Sequence, residues 1–276
     1  MKKSIFLSIV ICVITILILV FCNNTDNREL SYEGSKFLLH ATINQQNGIV
    51  IYGYSNNEYD EMMLEGSQAL FGENECIFIN RYNSIIKYDY TSKKENVICS
   101  GEAIDYFTLY NNNSISFSSE EHIFLFDHTK KQKNVIVEDN GSIIHSWSED
   151  GNNLYYSDID CQIKCFNLIS ENTEYICDGY NPIVSGSKLA YKNEGFLYIR
   201  DLITNETIQY SGCAYSYCFS PDGEALLIED EMSLLSGIKN KIMYGHSLVL
   251  WDYKHNKSAT VVEVCLPTPN MVCDWK

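Results

Sequence analysis

From residue 35 onward, short apolar runs alternate with polar clusters, and one arrangement keeps returning. An apolar strand ends in an aromatic residue or arginine, often followed by aspartate, then a polar turn and another apolar strand. The clearest copies are Ile85-Ile86-Lys87-Tyr88-Asp89, Ile123-Phe124-Leu125-Phe126-Asp127, Leu197-Tyr198-Ile199-Arg200-Asp201 and Leu248-Val249-Leu250-Trp251-Asp252. Ile163-Lys164-Cys165-Phe166-Asn167 and Ile49-Val50-Ile51-Tyr52-Gly53 are degenerate copies. The closing positions 53, 89, 127, 167, 201 and 252 lie 36, 38, 40, 34 and 51 residues apart. Periods near 40 residues built from short strands are the mark of propeller blades, since one unit cannot bury its apolar faces alone and must stack on its neighbours.

Each unit divides into four strands, a to d. In the fourth, these fall at about 143–148, 154–157, 162–168 and 173–177. Ser148-Glu149-Asp150-Gly151-Asn152 separates a from b and recurs as Phe219-Ser220-Pro221-Asp222-Gly223 in the sixth, with glycine free to take positive φ. The aspartates closing strand c are expected to accept backbone N–H bonds in the c–d turn, a structural role rather than a catalytic one. The first unit has only three strands, 36–42, 49–54 and 61–65, matching b, c and d. The chain ends in Met271-Val272-Cys273-Asp274-Trp275, an isolated strand a with Trp275 standing where Trp147 stands. The expected fold is therefore all-β, a propeller of six four-stranded blades over residues 35–276. Its C-terminal strand completes the first blade, which closes the ring and removes an exposed edge.

Composition changes little in that picture. Twenty tyrosines suit half-buried strands. The net charge of −16 repels phosphate backbones, which argues against a nucleic-acid partner.

The first 22 residues are a separate object. Lys2 and Lys3 precede an uncharged run from Ser4 to Phe21. At about 1.5 Å per residue it spans roughly 27 Å as a helix, enough for a thin bilayer core. An N-terminal transmembrane helix with cytoplasmic lysines places the body on the extracytoplasmic side of the cell membrane, tied through a polar linker at 23–34. No small-residue cleavage site follows the run. Leu19-Val20-Phe21-Cys22 resembles a bacterial lipoprotein box with Cys22 as the lipidated residue, although Phe21 stands where a small residue is usual. Signal anchor and lipoprotein both remain open.

Ser146-Trp147-Ser148-Glu149-Asp150-Gly151 with Leu154-Tyr155-Tyr156-Ser157-Asp158, and Phe219-Ser220-Pro221-Asp222-Gly223, resemble the repeats of TolB-like and WD40-like bacterial propellers. Leu250-Trp251-Asp252 is similar to the WD mark itself. The Gly-His mark of eukaryotic WD40 repeats is displaced, with Gly245-His246 directly before strand c. The resemblance implies the fold and an extracytoplasmic binding role, and it transfers no catalytic residue.

No catalytic constellation is legible. Gly245-His246-Ser247-Leu248-Val249 has one glycine of a nucleophile elbow but runs into a strand. Asp150, Asp158 and Asp160 could offer oxygens to calcium, yet they read more simply as solvated turn carboxylates. His145, Asp105 and Asp274 lie near strand a positions, where channel chemistry would require them to meet. Of eleven cysteines, Cys12 and Cys22 belong to the anchor; Cys161 and Cys165 are too far apart on a strand to bridge, and the body's thiols read as small hydrophobes. No cofactor is expected.

The sixth unit carries an insertion between b and c, at about 229–245. It contains Leu234, Leu235, Ile238, Ile242, Met243 and Tyr244, more apolar than a solvated loop requires. The b–c and d–a connections share one face of a propeller, and insertions there often mark a binding surface; a short helix or hairpin folding its apolar side back on the blade fits the same residues equally well. The function expected is a non-enzymatic module presenting this face to a protein or cell-envelope partner. The alternative is a glycan- or small-ligand-binding propeller, with or without a cation, or a divergent enzyme, using the central channel.

Overall fold

The computed structural model describes residues 36–275 apart from 44–45, 54–57, 60–63, 74–75, 102, 112, 139–143, 235–242 and 265–270. Six four-stranded antiparallel sheets follow one another along the chain. Blade 1 holds β1 (Lys36–Ile43), β2 (Gln46–Gly53) and β3 (Glu58–Tyr59); blade 2 holds β4 (Gln68–Phe71), β5 (Cys76–Arg81), β6 (Ser84–Asp89) and β7 (Lys94–Ser100). Blade 3 is β8 (Tyr106–Asn111), β9 (Ser114–Ser119), β10 (His122–Asp127) and β11 (Gln132–Val137). Blade 4 is β12 (Ser146–Trp147), β13 (Asn153–Ser157), β14 (Gln162–Asn167) and β15 (Asn172–Asp178). Blade 5 is β16 (Tyr180–Ser185), β17 (Lys188–Asn193), β18 (Phe196–Asp201) and β19 (Thr207–Gln209). Blade 6 is β20 (Ala214–Phe219), β21 (Leu226–Leu234), β22 (Met243–Asp252) and β23 (Lys257–Val264).

The last strand, β24 (Met271–Trp275), pairs antiparallel with β1, so blade 1 reads β24-β1-β2-β3. Trp275 opposes Phe37 in that register, with ring centroids 5.2 Å apart at 75°. β24 also lies against β4 on one side and β20 on the other, which closes the ring. Two boundaries differ from the sequence reading. Strand a of blade 4 is only two residues long, and the outer strand of blade 1 is Glu58–Tyr59, with Leu64 returning to bridge Ile49. Both are short edge segments, where pairing with a single neighbour leaves the apolar pattern little to specify.

The c–d turns show how local chemistry builds the repeat. Asp89 accepts the Ser92 N–H, Asp127 those of Thr129 and Lys130, Asp201 those of Ile203 and Thr204, and Asp252 that of His255. Asn167 does the same for Ile169 and Ser170 through its amide oxygen. Four residues past each cap the chain turns left-handed, at Lys93, Lys131, Glu171, Asn205 and Asn256. The a–b turns of blades 4 and 6 share a second motif. Ser148 and Ser220 each bond to an aspartate two residues on, and Gly151 and Gly223 supply φ of 69° and 68°.

The core sits between blades rather than within them. Phe78 of blade 2 packs with Ile115 and Phe117 of blade 3; Tyr155 of blade 4 packs with Leu189 and Tyr191 of blade 5; Ala190 packs with Leu226 and Ile228 of blade 6. Polar side chains tie neighbouring inner strands together. Asp274 accepts the Phe71 N–H at 2.7 Å, and Gln68 both donates to and accepts from the Phe107 backbone. Ser146 accepts the Val184 N–H, and the Tyr217 hydroxyl donates to the Asn181 carbonyl. These bonds serve the inner edge of each sheet, which has no further strand to pair with.

Candidate functional site

Because every sheet is an antiparallel meander, its a–b and c–d turns lie at one end of the channel and its b–c and d–a connections at the other. The two ends are built differently. At the b–c end, blades 2 to 5 turn through short connections containing left-handed Tyr82, Glu120, Cys161 and Glu194. Blade 6 does not turn there. β21 and β22 stay in register from Leu226↔Trp251 out to Leu234↔Met243, whereas β20 pairs only as far as Asp230 and β23 only as far as His246. The insertion is thus the outer part of a hairpin continuing past its own blade. Leu234, Met243 and Tyr244 lie on its paired strands; Leu235, Ile238 and Ile242 fall in 235–242, and Cys22 in 1–35, outside the described residues.

The base of this hairpin holds a cluster that sequence reasoning missed. Asp230 accepts the Tyr210 hydroxyl and the Cys213 N–H, each at 2.8 Å. Burial and the Asp230 bond push the Tyr210 phenol well above its ordinary range. Glu229 is 2% exposed and accepts the Ser216 hydroxyl at 2.7 Å. Lys192 donates to the Tyr215 carbonyl, and burial lowers its pKa. A Cβ on Gly212 would lie 2.5 Å from the Asp230 carboxylate, so glycine is required for this close approach. Around the cluster the same end exposes Ile159 (69%), Phe196 (46%) and Tyr215 (45%), one each from blades 4, 5 and 6.

The channel is filled behind that end. Tyr217 is buried, and its pKa is driven far up by burial and then by the nearby phenols of Tyr180 and Tyr106. Tyr106 also meets His145 edge-on at 5.5 Å. His145 is fully buried beside Ser116, 2.9 Å from its hydroxyl, which also accepts the Trp147 indole N–H at 2.8 Å. His145, Asp105 and Asp274 are not brought together: His145 is inside, Asp105 is exposed, and Asp274 is at the far end of its strand.

Asp150 and Asp158 also part company, lying in an a–b turn and a b–c connection. Asp158 pairs with Lys164 at 2.7 Å. Burial alone would raise its pKa, but Lys164 and the Gln162 N–H outweigh that and lower it. Among the described residues no group of three metal-ligating side chains converges. Seven described cysteines are free thiols.

At the a–b end lies a cavity of about 600 Å³, lined by the ends of inner strands from blades 1, 2 and 3, by Phe78 and Lys87 on strands b and c of blade 2, and by Pro221 of blade 6. Nothing in the sequence pattern pointed to it, because its walls come from four blades.

No family model and no curated protein matches the chain. Among solved structures it is similar to a putative TolB from Agrobacterium tumefaciens, at 12% identity over 84% of this chain and 90% of that one, with a TM-score of 0.56. It is also similar to the hydrazine synthase of Kuenenia stuttgartiensis, at 12% identity over 73% of this chain and 68% of that one, with a TM-score of 0.54. At such identity the likeness speaks for architecture alone: the chain is a six-bladed β-propeller of the TolB-like fold.

Proposed function

We propose that the protein is a membrane-tethered, extracytoplasmic, non-enzymatic interaction module that presents its b–c face to a protein partner of the cell envelope. The observation carrying this reading is the blade 6 hairpin, whose strands stay paired beyond the blade and carry Leu234, Met243 and Tyr244 away from the barrel of sheets. A hairpin fixed at its base by Asp230 and Glu229 is pre-organised for docking, which lowers the cost of binding. Ile159, Phe196 and Tyr215 extend the surface across three blades. The apolar segment 4–21 supplies the tether, and the acidic surface leaves nucleic acid out.

The reading is tested by photo-crosslinking in intact cells from probes at Tyr244 and, as the opposite-face control, Ile203 in a c–d turn. A discrete crosslinked protein from Tyr244 alone is expected. It should disappear when residues 232–243 are replaced by a short linker in a variant that melts normally. Equal labelling from both positions would reject it. Carbonate extraction of the wild type and Cys22→Ala tests the tether, because only a lipid-anchored chain would be released by that substitution.

A further inference from the structure

We infer that the cavity at the a–b end is a binding site for a small zwitterion with an apolar body, of the size of a free tripeptide. This inference is independent of the hairpin reading and concerns the opposite face. The cavity runs outward from the channel mouth, at Asp274 and Pro221, across the seam between blades 2 and 3 to Lys87. Its volume of about 600 Å³ lies within the ~300–1,000 Å³ usual for small-molecule sites.

Charge is divided between its two ends. On the strand a side stand Asp274 and Glu73. Asp274 is held in place by the Phe71 and Trp275 N–H groups, accepting at 2.7 and 2.8 Å. Among the described residues the Glu73 carboxylate has no hydrogen-bond or ion-pair partner, although its backbone carbonyl accepts from Cys76. At the other end Lys87 is half-buried, its ammonium 5.6 Å from the centre of the Phe78 ring and in the field of the Asp89 carboxylate, with no ion pair among the described residues. A half-buried ammonium set over a ring, with Asp89 acting on it only through the field, gains from an anion that enters the cavity, because desolvation strengthens charge-assisted bonds. Between the ends the lining is largely apolar, Phe71, Phe78, Leu109 and Tyr110, with Asn111 beside them. Phe78 lies against Gly72, where a Cβ would meet its ring at 2.7 Å, so glycine opens the floor.

The backbone suggests the ligand's length. Lys87 on strand c lies opposite Leu70 of strand a across Phe78, two strand spacings or about 10 Å from it. An extended peptide covers roughly 3.5 Å per residue, so a tripeptide sets its amino group between Asp274 and Glu73 and its carboxylate on Lys87. Apolar side chains then cover Phe71, Leu109 and Tyr110.

The test is calorimetric titration of the full-length protein in detergent with a free tripeptide of leucine and phenylalanine, and with the same peptide acetylated and amidated. Saturable binding of the free form is expected, weakened at least tenfold by capping both ends. Lys87→Met should weaken it about tenfold and Glu73→Gln several-fold, with Lys87→Arg retaining most affinity and all variants melting normally. Equal binding of capped and free peptide, indifference to Lys87→Met, or no binding by the wild type would overturn the inference, as would preferential binding of a neutral oligosaccharide. None of these variants should alter crosslinking from Tyr244, so failure here is distinct from failure of the docking face.

Discussion

The two ends of the propeller obey different rules. At the a–b and c–d end the turns are self-contained: a capping side chain, a left-handed residue and backbone bonds within five residues, repeated in the c–d turns of blades 2 to 6 and the a–b turns of blades 4 and 6. At the b–c end blades 2 to 5 turn tightly, and the connection in blade 6 grows into a hairpin whose fixation depends on residues from the preceding d–a loop. Regularity at one end lets the ring form whatever the other end carries. A scaffold with interchangeable turns on one side can therefore vary the other at little cost in stability, the usual division between framework and binding loops.

The most severe way to break this contrast is to remove the strand both ends share. Deleting residues 270–276 takes away β24, the Phe37–Trp275 contact and the Asp274 bond to Phe71. Tm should fall by more than about 10 °C, as expected for several kcal/mol in a domain of this size. Replacing 232–243 by a short linker should leave Tm within a few degrees. A similar loss from both changes would end the distinction between scaffold and appendage.

A turn on the regular end can be broken singly. The buried Ser220 hydroxyl accepts from the Glu224 and Ala225 N–H groups and donates within the turn. Ser220→Ala should cost about 1–3 kcal/mol in urea unfolding, since it strands buried donors. A smaller gain should come from Glu171→Gly, which relieves a left-handed φ of 57° at a position that blades 5 and 6 give to asparagine. About 0.5–1 kcal/mol is expected, and no gain would show that the turn holds Glu171 without strain.

The finest test is pH. Backbone and side-chain donors hold the Asp127 carboxyl far below its ordinary range, and Lys188 with the Thr204 and Ile203 N–H groups brings Asp201 to about 2. Lowered folded-state values mean that the stabilisation is present above the unfolded pKa near 4 and is lost as pH falls through about 2. The urea midpoint should drop across that window, and Asp201→Asn should flatten part of the drop. Asn167 already makes the same turn without a titrating group, so substituting blade 4 at that position should leave the window unchanged.

Much of this architecture was legible along the chain. The closing residue of strand c, the Ser-x-Asp-Gly turns and the unpaired last strand are signals read within a few residues, because hydrogen bonds of one turn and alternation of one strand are local. The signal weakened where strands are short, as at Ser146–Trp147 and Glu58–Tyr59.

What only the tertiary structure decided involves residues far apart in sequence. Asp274 meets Phe71 across 203 positions, and His145, expected near the channel, is sealed against Ser116 of the neighbouring blade. The Asp230–Tyr210 base of the hairpin and the cavity between Asp274 and Lys87 arise the same way. A repeat pattern specifies each blade, since its period is set by local bonding. Which side chains face one another across a seam depends on ring closure, which no single repeat encodes.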